Sequence, residues 1–253
     1  MATFDSYSRH ARLVPALLVF VPALVMVLAW NPTLLEPTWS KAGVAVLSTC
    51  GVLYLLSVFS RSQGKALERR LLVEWGGWPT TLWLRHRSAY LNVRTKARYH
   101  RVLSQLVPEL RFPTQEEETA DPGAADLIYS SAVEALKEQA RGDELVEKEV
   151  TEYGFRRNLL GLKPYGILLC ALGAALGIAQ MGLYEFSHPS FTWLNDNAFK
   201  FSAVALSLGA VAAWTWFITK PWVFEAANQY ARALLATCDR PRSAEGHAEA
   251  HTA

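Results

Sequence analysis

The chain lacks charge over four long stretches, and this absence is its most informative property. The stretches contain no Asp, Glu, Lys, Arg or His, and they cover Leu13–Trp30, Ala42–Phe59, Tyr165–Leu183 and Phe201–Thr219. A helix needs roughly 20 apolar residues to cross the hydrocarbon core of a bilayer, and each stretch approaches that length. A charged side chain at the centre of such a helix costs about 2.5–3.5 kcal/mol on insertion scales. The pattern predicts a polytopic membrane protein with four transmembrane helices.

Other scarcities exclude whole classes of function. The three cysteines, Cys50, Cys170 and Cys238, are far apart, so there is neither a CxxC pair nor a disulfide framework. The GxxxxGK[ST] phosphate-binding loop is absent, and no other catalytic motif stands out. Because the four stretches hold no ionisable residue, a proton relay or a charge-coupled transporter is disfavoured. We therefore expect a protein that is not an enzyme and that has no cofactor and no metal.

The basic residues beside the stretches predict the orientation. Arg9 and Arg12 precede the first stretch, and further clusters follow the second, precede the third and follow the fourth. The connectors Asn31–Lys41 and Tyr184–Lys200 hold one lysine each, balanced by acidic residues. By the positive-inside rule, both termini and the central segment face the cytoplasm. The first stretch lacks a small-x-small cleavage site and is expected to be a retained span rather than a signal peptide.

The predicted fold is an all-α membrane protein with four transmembrane helices arranged as two hairpins. A helical cytoplasmic domain is inserted between helices 2 and 3. The expected domains are a first hairpin (residues 1–60), the cytoplasmic domain (61–163), a second hairpin (164–220), and a C-terminal helix with a disordered tail (221–253).

Several local signals predict helices within the insert. Residues 61–75 should continue the second span until Gly76-Gly77 ends it, and Thr80-Thr81 should cap the next helix. Residues 91–107 have a helical apolar stripe. Thr114 and Glu117 fit a capping box, and Asp121-Pro122 should begin a helix that ends near Arg141-Gly142, with an apolar face marked by Leu127, Ile128, Val133 and Leu136.

Charge in the insert is polarised. Residues 61–111 hold 11 basic and 3 acidic residues, whereas residues 112–152 hold 3 basic and 12 acidic residues. Opposite charges in one small domain indicate that the two halves face each other, within a protomer or between protomers.

The densest basic cluster is the candidate ligand site. Guanidinium groups bind phosphate through two hydrogen bonds, and tyrosine can stack on a base. An anion or nucleotide site is therefore predicted at Arg85, Arg87, Arg94, Lys96, Arg98, Tyr99 and Arg101. Two plainer interpretations stay open: a solvated face that pairs with the acidic half, or a face that touches anionic lipid headgroups.

Two further sets of residues have predicted roles. The segment before the third span is typical of an interfacial anchor. A compatible prediction is a coupling elbow that would pass motion to the spans, made of Gly154, Arg156, Arg157 and Gly161. Small residues allow helices to approach closely, so Gly173, Gly177 and Gly209 are predicted to pack against other helices of the same chain or of a second copy. A metal site is not expected at the carboxylates of residues 116–126, because adjacent residues of a helix point in different directions.

Four motifs of the insert together resemble a set found in an uncharacterised family of bacterial four-helix membrane proteins. They are Glu74-Trp75-Gly76-Gly77-Trp78-Pro79-Thr80-Thr81, Thr95-Lys96-Ala97-Arg98-Tyr99-His100-Arg101, Phe112-Pro113-Thr114-Gln115-Glu116-Glu117-Glu118 and Tyr153-Gly154-Phe155-Arg156-Arg157-Asn158. That resemblance carries no assigned chemistry. In architecture alone, the layout is similar to the four-transmembrane effectors of bacterial antiphage systems that use cyclic oligonucleotides.

The resulting hypothesis is an oligomeric membrane effector in antiphage defence. Its cytoplasmic domain would sense a nucleotide signal or a partner protein, and its spans would permeabilise the inner membrane. The expected partners include the lipid bilayer and further copies of the chain, but no DNA. The alternative is a non-catalytic scaffold that anchors a cytoplasmic partner through the acidic half. A lipid-modifying enzyme would require His86 and His100 to converge with carboxylates, which their spacing does not indicate.

Overall fold

A computed structural model describes residues 9–31, 39–187 and 197–240 of the chain, and it describes side chains in 9–31, 51–183 and 197–240. The described residues are helical, with no strand among them. Most of both predicted external connectors, and the predicted tail from residue 241 onward, lie outside the described residues. The all-α prediction is therefore confirmed for the described part of the chain.

The helices of the described residues are numbered in chain order. They are α1 (Val14–Trp30, preceded by a π-helical turn at Arg9–Leu13), α2 (Trp39–Trp75), α3 (Pro79–Leu84), α4 (Val93–Leu106), α5 (Gln115–Ala120), α6 (Pro122–Gln139), α7 (Glu144–Ser187), α8 (Ala198–Trp216) and α9 (Lys220–Ala236), which leads into a 3-10 turn (Thr237–Asp239).

Three of the described helical segments are long and apolar enough to cross a membrane. They are Arg9–Trp30, Glu144–Leu183 and Ala198–Trp216. These segments include the first and third predicted spans and most of the fourth, so the membrane prediction is confirmed at this level. The second predicted span, Ala42–Phe59, lies within the 37-residue helix α2, and its crossing of a membrane stays a prediction.

The chain divides into two compact units. The first comprises Met1–Leu71 with Thr151–Ala226, and the second comprises Leu72–Val150 with Ala227–Ala253. These boundaries differ from the predicted domains at both edges of the insert. They also differ at the C-terminus, because the chain from Ala227 onward belongs to the same unit as the insert. Hydrophobic periodicity identifies apolar faces but not their partners, so the compact units need not follow the predicted domains.

In the first unit, α1 packs against α8 and α7. Met26 and Ala29 of α1 share a buried cluster with Met181, Ala203 and Val204. The first and last predicted spans are thus neighbours, which an arrangement of two hairpins does not by itself predict.

In the second unit, a hydrophobic core forms between α3, α4, α6 and the end of α9. Its fully buried side chains include Leu84, Leu103, Tyr129, Leu136 and Leu234. Burying a large apolar side chain contributes roughly 1.5–3 kcal/mol, so these contacts hold the short helices together. The core also holds the C-terminal turn in place, because Cys238 is one of its members.

Several predicted helix ends are confirmed. Thr114 and Glu117 form the reciprocal capping box of α5, and Asp121 caps α6 ahead of Pro122. Helix α2 ends at Trp75, followed by Gly76 and Gly77 with positive φ angles. Glycine takes this left-handed conformation without the steric cost that a Cβ imposes.

Two local predictions were wrong. Helix α3 begins at Pro79, and Thr80 and Thr81 lie inside it, buried rather than capping. Proline suits the first helical position, since its missing N–H has no partner there in any case. On α6, Val133 and Leu136 are buried as predicted, but Leu127 is 72% exposed, and the buried face also carries Ala125, Tyr129 and Ala132.

Candidate functional site

A buried cluster of charged and polar side chains lies in the first unit, at Glu68, Tyr153, Arg157 and Asn158. Arg157 Nη1 lies 2.5 Å from Glu68 Oε1, and the Tyr153 hydroxyl donates to the same oxygen at 2.9 Å. The side chains of Arg157 and Glu68 are only 6% and 5% exposed. Because two charges leave water here, the pair needs its additional hydrogen bonds to offset the cost of desolvation. We call this group the polar clamp.

The polar clamp also reaches the turn that precedes α1. Arg157 donates from Nε and Nη2 to Asn158 Oδ1, at 3.2 and 3.1 Å. Asn158 Nδ2 in turn donates to the backbone oxygen of Ala11 at 2.6 Å. Ala11 is fully buried within the π-helical turn Arg9–Leu13 that precedes α1. One hydrogen-bonded cluster therefore joins α2, α7 and the start of α1.

Lys65 completes the environment of the Glu68 carboxylate. Its Nζ lies 2.7 Å from Glu68 Oε2, and its side chain is about half exposed. Burial by itself would raise the pKa of Glu68, but the charges and hydrogen bonds of Arg157 and Lys65 outweigh it and hold the pKa below its ordinary value. The carboxylate is therefore ionised at neutral pH.

Two glycines allow α2 and α7 to approach closely beside the polar clamp. A Cβ at Gly64 would stand 1.9 Å from Asn158 Oδ1, and a Cβ at Gly161 would stand 2.8 Å from the backbone of Gln63 and Gly64. Only hydrogen fits at these positions. The crossing of the two helices thus depends on backbone contact as well as on the ion pair.

These placements revise the predicted coupling elbow. Helix α7 runs unbroken through Gly154, Arg156, Arg157 and Gly161, so neither glycine interrupts the helix. Gly161 is a contact point, and Arg157 is part of the polar clamp. Arg156 lies over the Trp222 ring at 4.8 Å and donates to the Trp222 backbone oxygen at 3.1 Å. The segment is the place where α7 crosses α2, and whether it transmits motion stays a prediction.

The predicted anion site is distributed over several environments of the second unit. Arg85 donates from Nε and Nη2 to Asp126, at 2.7 and 2.5 Å, which pairs the basic half with the acidic half inside the protomer. Lys96 is buried and donates to the backbone oxygens of His86 and Ser88. Neither side chain is available to a ligand in this arrangement.

The remaining members lie on or near the surface. Arg98 and the Tyr99 hydroxyl both donate to Asp239. Arg87, Arg94 and Arg101 are exposed, and their side chains have no polar partner among the residues that the structure describes. Arg94, Arg98 and Arg101 share one face of α4, within an arc of about 60° at 3.6 residues per turn.

Sequence reasoning wrongly kept the histidines and carboxylates apart. The rings of His86 and His100 lie 5.1 Å apart, and the backbone N–H of His86 donates to the buried Glu118 carboxylate at 2.7 Å. The Tyr129 hydroxyl donates to the same carboxylate at 2.7 Å. The pKa of Glu118 is lowered because these bonds outweigh the effect of burial.

Both imidazole rings form hydrogen bonds with backbone carbonyl oxygens. His86 Nε2 lies 2.9 Å from the backbone oxygen of Pro113, and His100 Nε2 lies 2.8 Å from that of Leu84. Burial lowers the pKa of His100 to about 4, so it is neutral at physiological pH. These groups fasten the loop after α3 to α4, α5 and α6, and the arrangement is that of a buried structural network.

The three glycines predicted to pack against helices behave differently. A Cβ at Gly177 would stand 2.7 Å from Met26 and 2.8 Å from Val204, so this glycine lies in contact with α1 and α8. Gly173 meets Met26 at an ordinary distance. Nothing described lies within 4 Å of a Cβ at Gly209. Its role in packing against a second copy stays a prediction.

Sequence reasoning missed five of the site residues, which are Glu68, Tyr153, Asn158, Glu118 and Asp239. Glu68 is one of only three acidic residues in the basic half of the insert, and such an isolated carboxylate among arginines is a signal that could have marked it. In comparisons with known proteins, no protein-family model, curated protein or solved structure matches this chain.

Proposed function

We propose that the chain is a membrane effector of bacteria, in which the polar clamp holds the membrane helices in a closed arrangement. A signal received by the second unit releases this arrangement, and the helices then permeabilise the inner membrane, as in the antiphage effectors that the layout resembles. The observation that carries the proposal is the buried Glu68–Arg157 pair with its bonds to Tyr153 and Asn158.

The position of the polar clamp supports four crossings. Ala11 precedes the first uncharged stretch, Glu68 follows the second, and Arg157 precedes the third; yet these residues meet in one cluster. If α1 crosses the membrane, α2 has to return to the same side. From Trp39 to Glu68 the helix rises about 44 Å at 1.5 Å per residue, which is ample for that return.

The fourth predicted span ends at the same level. Arg156, beside the polar clamp, bonds to the backbone of Trp222, which follows that span. Lys163 donates to the backbone oxygens of Thr215 and Ile218 at the end of α8, where a cation complements unpaired carbonyls. Four helix ends on one side, all next to basic residues, fit a topology with both termini in the cytoplasm of a bacterial inner membrane.

A buried ion pair suits a releasable closure. Such pairs add little net stability compared with apolar packing, but loss of one partner costs about 3–5 kcal/mol because the other charge stays buried. The intact pair thus favours one closed arrangement of the helices, and loss of either charge strongly destabilises that arrangement. Helices of a further copy would complete a pore, for which the exposed small residues Ala205, Gly209 and Ala213 on α8 offer a packing surface.

Inner-membrane integrity in bacteria tests the proposal, measured with a membrane-potential dye and propidium uptake, with and without phage infection. Arg157→Ala should depolarise cells without infection. Lys65→Ala is the matched control, because it removes only the half-exposed partner of Glu68. The double variant Glu68→Met/Arg157→Met removes both charges and should keep the membrane intact even on infection. Intact membranes in every strain, with the protein present in the membrane fraction, would refute the effector.

One observation favours the alternative of a scaffold. Leu127 is 72% exposed on α6, on the same helix face as the exposed Glu134, in the acidic half predicted to hold a partner. If Leu127→Arg abolished capture of a cytoplasmic protein while membrane permeability never changed, the scaffold would replace the effector.

A further inference from the structure

The carboxylate of Asp239 occupies the guanidinium fork of Arg98. Asp239 lies in the 3-10 turn after α9, and its two oxygens accept from Arg98 Nε at 2.6 Å and Nη2 at 2.9 Å. The Tyr99 hydroxyl donates to Oδ2 at 3.2 Å. A planar guanidinium binds carboxylate and phosphate with the same two-bond geometry. Asp239 therefore stands where a phosphate oxygen pair would fit.

Positive charge exceeds negative charge at this place. Arg94 and Arg101 lie on the same face of α4 as Arg98, one turn to either side, and both are exposed. Helix α4 itself has no acidic residue. Within the described part of the chain, Asp239 is the one carboxylate bonded to these three guanidinium groups. An unbalanced basic face of this kind is suited to an anion of more than one negative charge.

The internal pair is accessible and weak. The side chains of Arg98 and Asp239 are 50% and 41% exposed, and exposed ion pairs contribute little to stability. The turn does not depend on this pair for its position. Cys238 is buried in the core of the second unit, and Arg240 pairs with Asp143 on the other side of the turn. Asp239 can thus leave the fork while the turn keeps its anchors.

We propose that Arg94, Arg98, Tyr99 and Arg101 form a binding site for a phosphate-bearing anion, and that Asp239 acts as its internal competitor. The ligand displaces the Asp239 carboxylate, takes the Arg98 fork and the Tyr99 hydroxyl, and gains the charges of Arg94 and Arg101. The inference rests on the proposed function, for which it supplies the chemical class of the signal and a device that sets the threshold of the response.

Isothermal titration of the 253-residue chain with pyrophosphate tests the site. The protein is held in nanodiscs of phosphatidylcholine at low ionic strength. Asp239→Asn should bind pyrophosphate about two- to fivefold more tightly than the wild type, the factor that corresponds to the loss of an exposed ion pair. Asp239→Glu keeps the competing charge and should bind like the wild type.

A second substitution locates the binding. Arg98→Gln added to Asp239→Asn should abolish the gain. Arg111→Gln in the same background is the matched control, because Arg111 is an exposed arginine of the same unit that pairs with Glu117 instead. The inference is overturned if Asp239→Asn binds no more tightly than the wild type, or if the Arg98 variant binds as tightly as the Arg111 control.

Nanodiscs of phosphatidylglycerol distinguish two sources of the phosphate. If lipid headgroups occupy the site, these discs should remove the gain in pyrophosphate affinity of Asp239→Asn; if the natural ligand is soluble, the gain should persist. Both results are consistent with a phosphate site. Tight binding together with intact bacterial membranes would refute only the effector, whereas leaky membranes without the gain in affinity would refute only the site.

Discussion

The close approach of α2 and α7 predicts a specific effect of one added methyl group at Gly161. In an exposed helix interior, Gly→Ala stabilises by about 1 kcal/mol through helix propensity. At Gly161 the new Cβ would meet backbone atoms of Gln63 and Gly64 at 2.8 Å, and backbone cannot move aside as a flexible side chain can. The two helices would have to separate by a large fraction of an ångström.

That separation acts directly on the polar clamp. Overpacking costs typically 1–3 kcal/mol, and the Asn158 bond to the Ala11 backbone would lengthen together with the Arg157–Glu68 contact. After subtraction of the propensity gain of about 1 kcal/mol, we expect Gly161→Ala to destabilise the first unit by up to about 2 kcal/mol. The change in the free energy of unfolding thus has the opposite sign to that of Gly→Ala at an exposed helix position without close neighbours.

Gly182→Ala provides the matched control, because Gly182 lies in the same helix and a Cβ there would meet none of the described residues within 4 Å. Thermal unfolding of the purified protein in detergent, followed by circular dichroism, measures both variants. Gly161→Ala should unfold at a lower temperature than the wild type, and Gly182→Ala at the same or a higher temperature. Equal stability of the two variants would refute the inferred backbone contact.

Three other predictions concern single side chains. Burial lowers the pKa of His100 from its ordinary 6.5 to about 4, so the unfolded state binds a proton first as the pH falls. The free energy of unfolding of the second unit should therefore decrease by up to about 3 kcal/mol between roughly pH 6.5 and pH 4. His100→Gln should remove that share of the pH dependence, as measured by amide hydrogen exchange. Glu118→Gln replaces one acceptor oxygen by an amide NH2 group, which must then face the backbone N–H of either His86 or Arg87. It should weaken the same unit by about 1–3 kcal/mol in urea titrations, and an unchanged midpoint would contradict the buried network. Lys163→Met removes a donor to the carbonyl of Ile218 and should lower the free energy of unfolding by about 1 kcal/mol, as measured by thermal unfolding. Lys163→Arg should recover part of that loss. Equal stability of both variants and the wild type would show that the bond does not contribute.

Local features of the sequence were predicted well where their causes are local. The capping box at Thr114 and Glu117 and the proline start of α6 depend on side chains three residues apart or on one backbone N–H, and both are confirmed. Thr80 was misassigned for a related reason: proline at position 79 already provides the helix start, and the threonine is drawn into the core.

The candidate site was predicted only in part. Arginine periodicity placed Arg94, Arg98 and Arg101 on one helix face, but it did not show that Asp239, 141 residues beyond Arg98, holds the central one. The burial of Lys96 was equally unpredictable. The backbone carbonyls of His86 and Ser88, which accept its hydrogen bonds, belong to a loop without periodicity.

By itself, the sequence determined that this protein is helical and belongs in a membrane. Absence of charge over 18 or 19 residues and the period of apolar side chains are properties of contiguous chain, and the hydrophobic effect acts on them without reference to distant partners. Tertiary structure alone decided which helices meet and which charges are paired. Glu68 and Arg157 lie 89 residues apart, and their contact exists only because glycines at positions 64 and 161 let two helix backbones touch. Because both side chains are buried, the charge of Glu68 and the charge of Arg157 each require the other for stability away from water.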